Sequence, residues 1–171
     1  MSLQIKSLLL REELEHLNEL TLGTTKPFII SKTLTPIPGD KGFFEVFYAP
    51  IEGIYDDSSI PEVIVTFAHV RDNKYEMGFT INGRDTQAFK APISYYLRII
   101  KTVTLIITKF IHKTNPDSIR LKGMDKENVY TPGQKDRIYF SFMQQEGPKL
   151  GYRVAQDGSG YLIMIKNKIT N

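Results

Sequence analysis

Cysteine is missing from all 171 residues of the chain. That absence excludes disulfides, iron–sulfur clusters, zinc thiolate centres and thiol nucleophiles. Small secreted scaffolds usually depend on such cross-links, so a cytoplasmic setting is expected. A secretory leader pattern is missing as well: Leu8-Leu9-Leu10 is a short apolar run, and Arg11-Glu12-Glu13 follows at once. No unbroken membrane-length run occurs. The most apolar stretch, residues 93–111, is broken by Arg98, Lys101 and Lys109, so it reads as a buried helix and no membrane partner is expected. Internal repeats and low-complexity linkers are also lacking.

Net charge is small at +3, but the total hides a division. Residues 1–85 carry 8 Lys/Arg against 13 Asp/Glu, a net of −5, and residues 86–171 carry 14 against 6, a net of +8. The composition, 41% hydrophobic and 24% charged, is that of an ordinary globular protein and excludes disorder, collagen and coiled coil. At this length one domain over residues 1–171 is expected, with enough chain to bury a core.

Hydrophobic period divides the chain into elements. Ile5, Leu9, Leu10, Leu14 and Leu17 predict a helix over 3–22, ended by Gly23, with Glu12, Glu13, Glu15 and Glu19 on its polar face. Strands are predicted at 28–34, 43–48, 62–70 and 75–81, with Pro36, Pro38 and Gly39 turning the first pair. Val63, Val65, Phe67 and His69 share one face of the third; Tyr75, Met77, Phe79 and Ile81 share one face of the fourth. Gly78 within that strand suggests a bulge or a close backbone approach.

The period then becomes helical. Pro92 opens a long helix to about Thr114, which Asn115-Pro116 stops. A short strand at 119–121 follows, then a loop. Thr131-Pro132 opens a second helix to about Gln145, with Gly147-Pro148 as its end. A hairpin at 152–155 and 161–168 turns at Asp157-Gly158-Ser159-Gly160. These segments group as an N-terminal helix (1–23), antiparallel strands (28–81) and an α-β-α-β-β half (92–168). The expected class is α+β (mixed α/β): a central, largely antiparallel sheet of about six to seven strands, with a βαβ crossover and helices on both faces.

This order resembles the GNAT (N-acetyltransferase) superfamily: a helical N-terminal part, three antiparallel strands, a long helix, a strand, a second helix and a final hairpin. The resemblance covers roughly residues 43–168. Arg137-Ile138-Tyr139 through Gly151-Tyr152 is similar to the family's last helix and following Gly-aromatic pair. The same motifs, after Ile119 to Asp125, resemble a group of uncharacterised phage-encoded proteins, which implies a bacteriophage source and host cytoplasm. The family resemblance implies Tyr139 as proton donor to a departing thiolate, a role that a phenol with a pKa near 10 suits. The ordinary alternative is an amphipathic-helix aromatic packing beside Phe142 and Met143. The resemblance also implies acetyl-CoA in a glycine-rich turn before the long helix. Here that turn reads Arg84-Asp85-Thr86-Gln87-Ala88-Phe89: Gln87 and Phe89 replace the glycines, and Asp85 adds negative charge. No cofactor is therefore expected, and an enzyme is disfavoured.

The long helix carries a basic stripe. Arg98, Lys101, Lys109 and Lys113 fall within one third of its wheel, with His112 beside them. Arg120, Lys122, Lys126, Lys135 and Arg137 follow, and Tyr130 and Tyr139 offer stacking surfaces. The competing reading is a solvated face over a core helix. His16, His69 and His112 lack metal-ligand spacing, so no metal site is expected; His69 is a candidate general base or, more ordinarily, a core or rim histidine. Asp56-Asp57 and Asp125-Glu127 read as loop carboxylates, since no EF-hand pattern surrounds them. Gly158-Ser159-Gly160 reads as a hairpin turn.

The expected function is a non-enzymatic accessory protein on a degenerate GNAT-like fold, acting through its basic half on a protein or nucleic acid. An acyl-CoA-dependent N-acyltransferase and a nucleic-acid-binding protein are the alternatives. Self-association, the acidic helix of one copy meeting the basic face of another, is a further partner reading.

Overall fold

The computed structural model describes residues 25–34, 44–51, 60–81, 93–121, 143–156 and 161–168. The expected N-terminal helix, the glycine-poor turn at 84–89, the residues Lys122, Arg137 and Tyr139, both loop carboxylate pairs and the 157–160 turn lie outside them. The described part is a mixed α+β structure: a seven-stranded, mostly antiparallel sheet and two helices.

The strands are β1 (Lys32–Leu34), β2 (Phe44–Pro50), β3 (Glu62–Arg71), β4 (Lys74–Ile81), β5 (Ser118–Leu121), β6 (Tyr152–Gln156) and β7 (Leu162–Lys166). Their order across the sheet is β1-β2-β3-β4-β5-β7-β6. Every neighbouring pair is antiparallel except β4–β5, which is parallel. That parallel seam is the βαβ crossover, because helix α1 (Ile93–Thr114) joins its two strands. The second helix, α2, is described over residues 143–149.

Half of the residues of α1 are β-branched, a composition that lowers intrinsic helix propensity. Burial holds the helix instead. Ile100, Val103, Ile107 and Phe110 face the sheet and are almost wholly buried. The Phe110 ring stacks on Phe67 of β3 at 3.8 Å, with Tyr75 edge-on to it at 5.0 Å and Phe47 edge-on to Phe67 at 6.0 Å. Truncating a buried phenylalanine in such a cluster costs about 3–5 kcal/mol. Thr102, Thr104, Thr108 and Thr114 each donate to the carbonyl four residues back, which satisfies hydroxyls that the core would otherwise strand.

Both flanks of α1 are covered. On one, Phe28 donates its backbone N–H to Thr102 Oγ1 (2.8 Å) and lies under the Arg98 guanidinium (3.9 Å). On the other, Met143 of α2 reaches Thr104 and is fully buried. Both described helices therefore pack on one face of the sheet. Helices are expected on both faces; the described residues include helices on this face alone, and the expected 3–22 helix lies outside them.

Three local expectations change. The first strand is shorter than 28–34: Phe28 turns toward α1, and ladder pairing with β2 begins only at Lys32. The irregularity expected at Gly78 sits instead between His69 and Arg71, where the register shifts. Gly78 pairs in register with Thr66, and a Cβ there would meet Thr66 Oγ1 at an ordinary 3.7 Å. Helix α2 does not stop at Gly147-Pro148 but continues through 149. Gly147 is needed for a close approach, since a Cβ would fall 2.7 Å from Val154 Cγ2. The turn out of α2 is made by Gly151, at φ 83°, a left-handed value that other residues reach only with strain.

Candidate macromolecule-binding surface

The basic stripe of α1 is divided by its neighbours. Arg98, half-buried, caps Phe28 and donates Nε–H to the Lys26 carbonyl at 3.1 Å. Lys113 pairs with Glu45 on β2, whose side chain is only 2% exposed. Glu45 Oε2 has no hydrogen-bond partner among the described residues. These two cations thus fasten the ends of α1 toward the β1–β2 side of the sheet. Lys101 is half-buried with a partner of its own; Lys109 and His112 are exposed.

His69 lies near the end of β3 and is exposed, at the rim and not in the core. Its Nε2 is 2.5 Å from the Asp72 carbonyl, across a turn where Asp72 takes φ 49°, and its ring meets Tyr75 edge-on at 5.2 Å. That geometry fastens the β3–β4 turn. Arg120, on β5, reaches Glu76 at 3.4 Å and covers the Tyr161 ring at 4.4 Å. Among the described residues no three His, Asp or Glu side chains gather as a metal site would need, and no helix is long and apolar enough to cross a membrane.

The register of the sheet creates a second basic site on the face away from α1. Lys74, Ser118, Ile165 and Arg153 stand in one row across β4, β5, β7 and β6. Glu76, Arg120, Ile163 and Ala155 form the next row. Strands sit roughly 4.8 Å apart, so Lys74 and Arg153 bracket about 14 Å of sheet. An open groove of ≈ 540 Å³ runs over this region. Half-buried Ile163, Ile165 and Ser118 line it; Lys166, the last residue of β7 and paired with Tyr152, edges its end, and Asn167 and Lys168 continue it past the strand. Three lysines against one carboxylate, Asp117, leave its lining at +2. Lys74, Lys166 and Lys168 make no ion pair among the described residues.

Backbone and side-chain hydrogen bonds fix the rim. Asp117 N–H donates to the Asn73 carbonyl (2.8 Å), Lys166 N–H to the Asp117 carbonyl (2.9 Å) and Asn167 N–H to the Gly151 carbonyl (2.9 Å). Asn73 Nδ2 donates to the Asn115 carbonyl at 2.8 Å. Behind it, the buried Tyr152 hydroxyl donates to the Pro116 carbonyl at 2.5 Å. Burial pushes the Tyr152 phenol above its usual range, and the Asp117 charge pushes it further the same way.

Sequence reasoning named the helix face and the residues after it as the candidate surface, all within residues 86–171. Lys74, Lys166 and Lys168 escaped it because they converge only when β4 and β7 enter the sheet on either side of β5. The signal available beforehand was the Lys166-Asn167-Lys168 run closing the last strand. The chain matches no protein-family model, no curated protein and no solved structure at a significant level.

Proposed function

We propose that the protein is a non-enzymatic, phage-encoded binding protein on a degenerate GNAT-like sheet, acting through the basic surface of its C-terminal half on a macromolecular partner. The observation that carries this reading is the groove of net +2 over β4, β5 and β7, where Lys74 of the first half joins Lys166 and Lys168 of the second and none of the three makes an ion pair among the described residues. An excess of two positive charges over one groove directs a field toward a negatively charged partner.

The succession of antiparallel strands, a long helix, a strand, a second helix and a final hairpin supports the GNAT-like comparison. Fold alone does not carry activity. The turn that would cradle a pyrophosphate has Gln87 and Phe89 where close backbone approach calls for glycine. No cofactor is part of the proposal.

Calorimetric titration with acetyl-CoA tests it: no binding at micromolar concentrations is expected. Micromolar affinity, with turnover lost in Tyr139→Phe while the fold is kept, overturns it in favour of an acyltransferase. A partner recovered at low salt from the native host and identified by mass spectrometry is expected to be lost from a Lys74→Glu/Lys166→Glu/Lys168→Glu variant.

A further inference from the structure

We infer that the partner of the groove is an acidic protein segment presenting apolar side chains, in preference to a nucleic acid; this rests on the binding role proposed above and names its partner class. Three features of the groove select between the two.

The floor is aliphatic. Ile163 and Ile165 stand side by side on β7, half-buried, with Ala155 on β6 beside Ile163. Sequence-tolerant binding of single strands relies on aromatic platforms under the bases. The nearby aromatic, Tyr161, has the Arg120 guanidinium over its ring. Two isoleucines instead offer a surface that Leu, Ile or Val of a partner can cover, at about 25 cal/mol per Å² removed from water.

The cations are spaced as separate points. Lys74 lies on one side of the floor, Lys166 ends β7 with Lys168 two residues beyond it, and exposed Arg153 stands across it. Lysine is a compact point charge, whereas phosphate is gripped best by the fork of arginine. Arg120, at the centre of the second row, is engaged with Glu76. Carboxylates spaced along a peptide match separated ammonium groups.

The groove also holds negative charge. Asp117 lines it, and Glu76 stands in the second row. A phosphate track carries one charge at every nucleotide and meets these carboxylates wherever it crosses them. A peptide can place an apolar or polar residue there. The ≈ 540 Å³ volume is enough for a few side chains, not for a folded domain.

The test is fluorescence anisotropy with the full chain and three fluorescein-labelled probes. One is an 18-residue peptide with leucine at helical i, i+3, i+4, i+7 spacing and glutamate elsewhere. The second keeps its glutamates and replaces every leucine with serine. The third is a 20-nucleotide oligothymidine. In 50 mM NaCl the leucine-bearing peptide is expected to bind at micromolar Kd, about tenfold tighter than either other probe. Lys74→Glu/Lys166→Glu/Lys168→Glu is expected to weaken it at least tenfold with the thermal melt unchanged. If that triple variant melts early, the exposed single change Lys168→Glu, expected to weaken binding about threefold, takes its place.

Oligothymidine binding tighter than the peptide, and lost in the charge-reversed variant, overturns the acidic-segment assignment while leaving a macromolecular binding role standing. Equal affinity for both peptides removes the apolar floor from the argument and overturns the assignment too. Binding of no probe at 100 µM, or binding that the variants leave unchanged, overturns the assignment of the groove itself. The acetyl-CoA titration decides the parent proposal separately.

Discussion

The ion pair between Glu45 and Lys113 makes a sharp test of how α1 is held. The perturbation is Lys113→Met, which keeps the aliphatic stem and deletes the charge. Glu45 is then a carboxylate with a 2%-exposed side chain and no cation, and its Oε2 already lacks a partner among the described residues. Removing one member of a fully buried pair costs about 3–5 kcal/mol. Lys113 is 57% exposed, so water reaches the pair from one side and screens part of that cost. The expected destabilisation is about 2–3 kcal/mol, or about 4–12 °C in Tm for a chain of this size. Glu45→Leu should behave differently, because it leaves Lys113 in water and removes a poorly satisfied buried charge. It is expected to be neutral or to stabilise by up to about 1 kcal/mol. The double variant should resemble Glu45→Leu, giving a coupling of about 2–3 kcal/mol. Urea denaturation at pH 7, followed by circular dichroism, measures all four corners of the cycle. A Lys113→Met loss below about 0.5 kcal/mol, or a Glu45→Leu loss exceeding it, refutes the reasoning.

Tyr152→Phe should cost about 1–2 kcal/mol at pH 7 by leaving the buried Pro116 carbonyl without its donor. Because the folded phenol titrates above its unfolded value near 10, native stability should fall as pH rises through and beyond 10. The phenylalanine variant should lack that component, as denaturation series at pH 7 and pH 10.5 will show. Gly147→Ala should destabilise by about 1–3 kcal/mol through its clash with Val154, whereas Gly78→Ala should be neutral or stabilise by up to about 1 kcal/mol; paired thermal melts decide it. Arg98→Ala should cost about 1–2 kcal/mol by uncovering Phe28 and releasing the Lys26 carbonyl. Chemical denaturation measures that loss, and protection of the Phe28 amide from hydrogen exchange should fall with it.

Much of the sheet was legible because its period is strict. Val63, Val65 and Phe67, and opposite them Ile81, Phe79 and Met77, alternate inward on β3 and β4 as their spacing predicts. Helix α1 was legible through the width of its apolar face. The end of α2 was not: Gly147-Pro148 reads as a stop, yet Gly147 serves a close approach to Val154 and the left-handed turn falls at Gly151. The wheel of α1 located its basic residues but could not reveal what lies beside them. Phe28 and Glu45 come from segments 70 and 68 residues before the cations they engage, Arg98 and Lys113. The groove was hidden for a related reason. Its rows exist only once β5 sits between β4 and β7, and strand register is not written in any one segment.

The bracket of hydrogen bonds at the rim draws on Asn73, Asn115, Pro116, Asp117, Gly151, Tyr152, Lys166 and Asn167. Asn73 comes from the first half of the chain and the others are spread from 115 to 167. No local fragment of the chain can assemble them, so the groove comes into being only as the last long-range pairings close. A ligand bound there therefore engages the native state and not the unfolded chain, and occupancy raises stability by mass action: about 2.7 kcal/mol at a hundredfold excess over Kd. For any ligand that the groove takes, availability would then be coupled to protein lifetime, since the unoccupied chain is the one that proteases find open more often.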